Sequence, residues 1–322
     1  MKLATLPNGT ADGRVHVVSR DLARAAPVDG AETLQDLLED WDAQLSACEA
    51  IYADLNAEGG DAFDPGSALS PLPRAWQWLD GSSFPMHGRL MERAFDLDPK
   101  DNGGKPLMYQ GMSHHFLGPT EDVPFPSEED HIDFEGEFGV ITDEVPMGVS
   151  PAEARGHIRL LVLINDWSLR KLTLSEVKTG FGWVQAKPAC SMAPVAVTPD
   201  EIGPAWEHAQ VSLPLDVHWN GARFGRAMGN EMQFDFSDLV AHGAGTRALP
   251  PGTIIGSGTV SNQAYAEVGS SCITERRCIE MIANGKPSTG YMSFGDRITM
   301  EAALPDGTSV FGKIDQRVVQ AS

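Results

Sequence analysis

The sequence is short of cysteine, of positive charge and of long apolar runs, and each shortage removes a class of protein. Four cysteines, Cys48, Cys190, Cys272 and Cys278, in 322 residues are too few for a disulfide-stapled scaffold and suit a reducing cytoplasm. Cys272 and Cys278 lack companion ligands at zinc-site spacing, so no zinc site is expected there. Lysine and arginine number 24 against 45 aspartates and glutamates, a formal net charge of −21. So acidic a surface repels phosphate backbones, and nucleic acid is excluded as an expected partner. The longest aliphatic run, Leu160–Ile164, is far too short to span a bilayer, and Met1–Asn8 lack the apolar stretch of a signal peptide. Internal repeats and low-complexity tracts are missing too.

What is present is globular: 42% apolar and 21% charged residues, in a chain long enough to bury a substantial core. Short strands are expected at 3–6 and 15–18, around the turn Pro7-Asn8-Gly9. A helix is expected over 31–57, where Leu34, Leu37, Leu38, Trp41, Leu45, Cys48, Ile51, Tyr52 and Leu55 recur at steps of three and four. That stripe reads as core packing. Residues 58–74 read as a loop, 84–95 as a helix, and 99–105 as a domain boundary. The expected division is therefore a small α+β domain over 1–104 and a second domain over 105–322. The second is β-dominated. Strand-like runs occur at 131–141, 158–165, 193–198, 211–219, 252–261, 296–303 and 308–318, with short helices at 151–157, 235–242 and 272–284. No βαβ repeat is evident, so a doubly wound sheet is not expected.

Five segments could carry chemistry. In Asp133-Phe134-Glu135-Gly136-Glu137, strand periodicity puts Asp133, Glu135 and Glu137 on one face. Same-face carboxylates fit either a solvated strand face or a divalent-cation site. Asp166 follows the apolar run 158–165 directly, as a turn residue, a helix cap or the rim of a site. Carboxylates without a nearby thiolate favour a hard cation over Zn²⁺. Arg170, Lys171, Lys178 and Lys187 form a local excess of cations, either surface charge or a means of binding an anionic substrate. His114 and His115 are either solvent-facing loop residues or contain a general base. The turn Gly256-Ser257-Gly258-Thr259 lacks the ending of a phosphate loop. A glycosidase pair is disfavoured: Glu135 and Glu137 sit about 7 Å apart but project in parallel from one strand.

Taken together, these segments resemble the fumarylacetoacetate hydrolase family. The carriers are Met-Tyr-Gln-Gly at 108–111, Asp-Phe-Glu-Gly-Glu at 133–137, Asn-Asp-Trp-Ser-Leu-Arg at 165–170, Lys-Pro at 187–188 and Gly-Ser-Gly-Thr-Val-Ser at 256–261. The resemblance covers roughly residues 70–320, and the first hundred resemble the N-terminal part of the longer, fumarylacetoacetase-type members. It implies a mixed β (α+β) fold, with a β-sandwich roll as catalytic domain, and a cytoplasmic homodimer. It implies that Glu135, Glu137 and Asp166 bind a divalent metal, Mg²⁺ foremost with Mn²⁺ or Ca²⁺ as alternatives. Lys187 matches the family's active-site lysine. Thr259, Tyr109 and Arg170 match substrate-contacting positions, Arg170 either gripping a carboxylate or bracing the site. His114, five residues after Tyr109, matches the catalytic histidine, and Glu275 the glutamate that pairs with it. One departure stands out: longer members supply a fourth carboxylate just before the tyrosine, where this chain has Leu107.

The implied activity is metal-dependent hydrolysis of a carbon–carbon bond in a 1,3-dioxo acid. Fumarylacetoacetate, cleaved to fumarate and acetoacetate in tyrosine degradation, or a related acylpyruvate of aromatic catabolism, is the expected substrate. Such a cleavage needs an enolate leaving group, which a chelating cation stabilises. A hydratase, decarboxylase or tautomerase acting on a 2-oxo dicarboxylate would use the same carboxylates. A non-catalytic protein that kept the fold is the further alternative.

Overall fold

The aliphatic run Leu160–Ile164 lies at the centre of the molecule, in a strand covered on both faces. In the computed structural model, which describes residues 1–98 and 102–321, Leu161 and Leu163 face a core containing Phe138, Val140, Leu215, Val217, Met300 and Ile314. Leu160, Val162 and Ile164 face a second core containing Leu3, Val15, Val17, Leu34, Leu38 and Trp41. A strand with two buried faces has no polar side, so its sequence is continuously apolar instead of alternating.

That strand, Ile158–Asn165, sits inside an eleven-stranded sheet. Toward one edge follow Val195–Val197, Lys2–Leu6, Arg14–Val18, Arg24–Pro27 and Asp61–Ala62. Toward the other follow Gly136–Thr142, Thr253–Gly256, Gln77–Gly81 and Met108–Gln110, while Ser191–Met192 pairs the central strand off this path. A second sheet of five strands runs Ala222–Met228, Pro214–Trp219, Arg297–Ala303, Ser309–Gln320, Val123–Phe125. Its inner face supplies Leu215, Val217, Met300 and Ile314 to the first core, so the two sheets form a sandwich. The result is the expected mixed, β-rich α+β architecture. Pairing is antiparallel except where Gln77–Gly81 meets Thr253–Gly256 and Val123–Phe125 meets Ser309–Gln320. Among the described residues no helix is long and apolar enough to cross a membrane.

The outer face of the large sheet is covered by the N-terminal helices. The expected helix over 31–57 forms as two pieces, Leu34–Glu39 and Trp41–Asn56. Thr33 caps the first in a reciprocal box with Asp36, and Asp40 leaves helical geometry at φ −124°, ψ 33°. The predicted stripe is buried at Leu34, Leu37, Leu38, Trp41, Cys48 and Leu55. Of the expected boundary at 99–105, residues 99–101 lie outside the described residues.

Two departures from the sequence expectation shape the site. The run 131–141 is not one strand: Ile132–Asp133 pairs with Ser168–Leu169, and Gly136–Thr142 pairs with Ile158–Asn165. The chain crosses between them at Phe134, which is buried against Trp219 and Phe224. The run 252–261 is strand only to Gly256. Gly258 then turns with φ +79°, and a Cβ there would lie 2.5 Å from the carbonyl oxygen of Gly81, so the turn needs glycine.

Candidate active site

Three carboxylates meet because neighbouring strands of the large sheet end together. Asp166 follows the strand Ile158–Asn165, Glu137 lies near the start of Gly136–Thr142, and Asp80 lies near the end of Gln77–Gly81. Between the last two strands runs Thr253–Gly256. A Cβ on Gly256 would fall 2.4 Å from Asp80 Oδ1 and 3.0 Å from Glu137 Oε2, so glycine there leaves the carboxylates room to converge. Ligand oxygens of Asp80, Glu137 and Asp166 lie within 4.8 Å of one another. All three residues are buried, and neither oxygen of Glu137 has a hydrogen-bond partner. Burial pushes the Glu137 carboxyl well above its usual range, and Asp80 and Asp166 push it further. Asp80 is raised in the same way by burial and by Asp166. Buried, unpartnered carboxylate oxygens are costly unless a proton or a cation joins them. The geometry therefore fits a divalent cation, and a trio of oxygen donors suits a hard one.

Cations line the opposite side. Lys187 is 7% exposed; its ammonium donates to Glu135 Oε1 at 2.6 Å and to Asp166 Oδ2. Burial alone would lower its pKa, but Asp166 and Glu135 more than offset that and hold it charged. Arg170 Nε donates to Asp133 Oδ2 at 2.7 Å, and its guanidinium lies 3.1 Å from Glu135 Oε1. Glu135 also accepts from the Ser168 hydroxyl at 2.5 Å and from that of Thr259. Burial acts to raise the Glu135 carboxyl, yet Arg170 and Lys187 hold it well below the usual range. Tyr109 donates to Asp166 Oδ2 at 2.8 Å, and Cys190 Sγ lies 3.0 Å from Asp166 Oδ1. Asp133 faces away from this trio. Its oxygens accept the N–H groups of Ile273 (2.7 Å) and Thr274 (3.0 Å), fastening the start of helix Ile273–Asn284 to Arg170.

The histidine that meets Glu275 is His87. Its Nδ1 lies 2.9 Å from Glu275 Oε2, across the contact between helices Pro85–Phe95 and Ile273–Asn284. Glu275 is fully buried, and a carboxylate can only accept, so Nδ1 donates to it and Nε2 is the ring nitrogen left for other partners. His114 does not reach this place and corrects the expected pairing: it is exposed and does not line the cavity. The reason is the tight passage of its segment over Trp78. A Cβ on Gly111 would fall 2.0 Å from the Trp78 ring, and Phe116 packs edge-on against the same ring at 6.1 Å. That packing turns His114 and His115 outward.

Most of the remaining candidates share one cavity of about 500 Å³, whose walls include Asp80, His87, Tyr109, Glu135, Glu137, Arg170, Lys187 and Thr259, while Asp166 and Glu275 are buried behind it. Sequence reasoning missed Asp80 and His87. Asp80 carries the signal that exposed Asp166, an acid closing a short apolar strand (Trp78-Leu79-Asp80). His87, seven residues on in the first turn of a helix, offered no signal of its own. Thr259 lines the cavity, but its hydroxyl proton is committed to Glu135. All four cysteines are buried free thiols.

Residues 77–319 match the family model for the fumarylacetoacetate (FAA) hydrolase C-terminal domain, and residues 1–74 match fumarylacetoacetase N-terminal domain 2. A relative from Sphingomonas sp. (strain SKA58), 2,4-didehydro-3-deoxy-L-rhamnonate hydrolase, is 29% identical over 158 residues, 48% of this chain and 53% of the relative. The human mitochondrial oxaloacetate tautomerase FAHD2A is 24% identical over 158 residues, 48% of each chain. The chain thus aligns with about half the length of these curated relatives. Among solved structures, maleylpyruvate hydrolase from Sphingobium sp. SYK-6, in complex with manganese(II) ion and pyruvate, superposes over 100% of both chains with a TM-score of 0.67 at 18% identity. At that identity the likeness speaks for the fold.

Proposed function

This chain belongs to the fumarylacetoacetate hydrolase family, and from that premise we propose that it is a divalent-metal-dependent hydrolase cleaving a carbon–carbon bond in an acylpyruvate-type 1,3-dioxo acid. The observation that carries the reading is that one cavity is walled by Asp80, Glu137 and His87, with Asp166 completing the carboxylate cluster and Glu275 holding the histidine from behind the wall. Asp80, Glu137 and Asp166 would hold the cation, with Glu135 beside them. Bound there, a divalent cation polarises the substrate's oxygens and stabilises enolate charge; manganese in the maleylpyruvate hydrolase neighbour accords with this.

The chain's own groups do the rest. Glu275 fixes the His87 ring and its tautomer, leaving Nε2 to take a proton from water. The water oxygen adds to the acyl carbonyl carbon. The bond from that carbon to the methylene then breaks, its electron pair forms the enolate, and His87 returns the proton to the methylene carbon. Lys187 has three N–H donors and spends two on Glu135 and Asp166, so one remains for the oxyanion formed at the attacked carbonyl. Thr259 and Ser168 orient Glu135. Arg170, bound to Asp133 and Glu135, braces the site more than it grips substrate.

A hydratase, decarboxylase or tautomerase would use the same carboxylates, and one relative bears a tautomerase name. The His87–Glu275 pair favours a reaction that activates water, which sets hydrolysis apart from decarboxylation and tautomerisation, and the release of two acids separates it from hydration. The test is turnover of metal-stripped protein on acylpyruvates, followed by loss of the dioxo ultraviolet band, with and without Mg²⁺ or Mn²⁺. Metal-dependent release of two acids, abolished by His87→Ala, is the expected result. Metal-dependent enolisation or CO₂ loss without cleavage would move the enzyme to the other branch.

A further inference from the structure

Spacing along the chain gives Cys272 no companion metal ligands, but the fold brings it two. Glu135 and Cys272 face each other across an isolated antiparallel bridge, with the Gly136 N–H donating to the Ser271 carbonyl at 2.9 Å. Residues opposed in this way project their side chains from the same face. Cys272 also caps the helix Ile273–Asn284, its Sγ accepting the Glu275 N–H at 3.3 Å. Glu275, in the first turn of that helix, holds His87. Bridge and cap together therefore gather a thiol, a carboxylate and an imidazole. Cys272 Sγ, a Glu135 carboxylate oxygen and a ring nitrogen of His87 lie within 4.8 Å of one another.

This donor set differs in kind from the Asp80/Glu137/Asp166 cluster. Sulfur and imidazole nitrogen suit a borderline-soft cation such as Zn²⁺, whereas oxygens alone suit Mg²⁺ or Mn²⁺. Glu275 holds His87 Nδ1, as carboxylates do for metal-bound imidazoles, and leaves Nε2 for a cation. Glu275 Oε1 is buried and has no hydrogen-bond partner among the described residues, so negative charge there is uncompensated. Glu135 Oε1 is taken by Lys187, Ser168 and Arg170, but its Oε2 accepts the Thr259 hydroxyl and keeps a lone pair. Around the thiol the Arg170 charge opposes a cation, while Asp133, Glu275 and Glu135 favour one. His87 and Glu135 line the cavity, which gives an ion its way in and a water the fourth position.

We propose that His87, Cys272 and Glu135 form a second cation site, selective for thiophilic ions such as Zn²⁺, and that an ion there shuts off the general base. Binding is a ligand exchange without redox change. The Cys272 thiol loses its proton to solvent and its sulfur bonds the ion. His87 gives the ion its Nε2 lone pair and no longer takes a proton from water. The shut-off rests on the hydrolase reading above; the site itself does not.

Cd²⁺ is the probe, because a cadmium–thiolate bond adds a charge-transfer band in the ultraviolet. Cd²⁺ is titrated into the Mn²⁺-loaded protein while that band, the Mn²⁺ released (by electron paramagnetic resonance) and acylpyruvate turnover are recorded. Zn²⁺ then gives the inhibition constant. One equivalent of Cd²⁺ should develop the band with Mn²⁺ retained and cut turnover at least about tenfold. Cys272→Ser should lose the band and weaken Zn²⁺ inhibition at least about tenfold, the loss that even an outer partner of a metal causes. Serine is a preferred helix cap, so the fold is kept. His87→Ala should weaken Cd²⁺ binding at least about tenfold, and Cys190→Ser, which alters the thiol beside Asp166, should keep the band. No band at one equivalent, a band that survives Cys272→Ser, or a band that rises only as Mn²⁺ leaves would overturn the site, as would undiminished Cd²⁺ affinity in His87→Ala. A Cys272-dependent band in a protein that turns over no acylpyruvate would overturn the hydrolase reading and uphold the site. The band with full turnover, although His87→Ala weakens it, would overturn His87 as the general base and the shut-off with it.

Discussion

Replacing Glu137 by glutamine should stabilise the metal-free protein and destabilise the metal-loaded one relative to wild type. Carboxylate oxygens of Asp80, Glu137 and Asp166 lie within 4.8 Å of one another. At that separation two unit charges repel by about 3 kcal/mol at an effective dielectric constant of about 20. Two such neighbours exceed what it costs to protonate one carboxyl, so without a cation the cluster takes up a proton. The penalty is then capped near the cost of holding a proton at pH 7 on a group whose ordinary value is 4.5, about 3 kcal/mol. Glutamine removes that penalty and brings N–H donors to the flanking oxygens. For a chain of this length, 1 kcal/mol moves the melting temperature by about 1.5 °C, so the gain is up to about 4 °C. The pH dependence has a definite sign. The folded-state value is raised, so the folded wild type binds more protons than the unfolded chain as pH climbs past 4.5, and its stability falls there. The variant's lead should therefore grow from pH 4.5 toward 7 and vanish below 4.5. Thermal melts in chelator across that range measure it. Adding Mn²⁺ at about 100 times its Kd should raise wild type by about 2.7 kcal/mol and the variant by much less, reversing the order. A variant that melts below wild type in chelator at pH 7 would refute the reasoning, as would equal stabilisation of both proteins by Mn²⁺.

Gly256→Ala places a methyl 2.4 Å from Asp80 Oδ1 and should weaken Mn²⁺ binding at least about tenfold in calorimetry with the fold retained by circular dichroism. His114→Ala should leave kcat within about twofold of wild type, whereas His87→Ala should lose about 10²–10⁴-fold, as for removal of a general base; the opposite ranking would restore His114 as the catalytic histidine. Leu163→Ala in the doubly covered strand should cost about 2–5 kcal/mol in denaturant unfolding, and a cost below 1 kcal/mol would mean that the two cores are less tightly packed than they look.

Several features were legible in the residues themselves. The strand Ile158–Asn165 was plain because burial on both faces leaves Leu160–Ile164 continuously apolar, and Asp166 drew notice by following it directly, although a turn or cap residue would stand there equally well. The helical stripe from Leu34 to Leu55 followed from periodicity alone. Glu135 and Glu137 stood out by their two-residue spacing, although the strand is interrupted at Phe134 and Glu135, and Glu135 is tied down by Lys187, Arg170, Ser168 and Thr259.

Other features belong to the tertiary structure. The His87–Glu275 contact joins positions 188 residues apart through the packing of two helices, and no local pattern encodes it. His114 was indicated by its distance from Tyr109, yet the passage of its segment over Trp78 turns it to solvent. Asp80 enters the carboxylate cluster only because Gln77–Gly81 lies parallel to Thr253–Gly256, a pairing of segments far apart in sequence, and because Gly256 has no side chain to fill the gap. Periodicity and composition act over a few residues, so by themselves they marked the central strand, the helical stripe and most of the acids and bases. Which of those groups meet depends on sheet order and helix packing, and only the folded chain decided that.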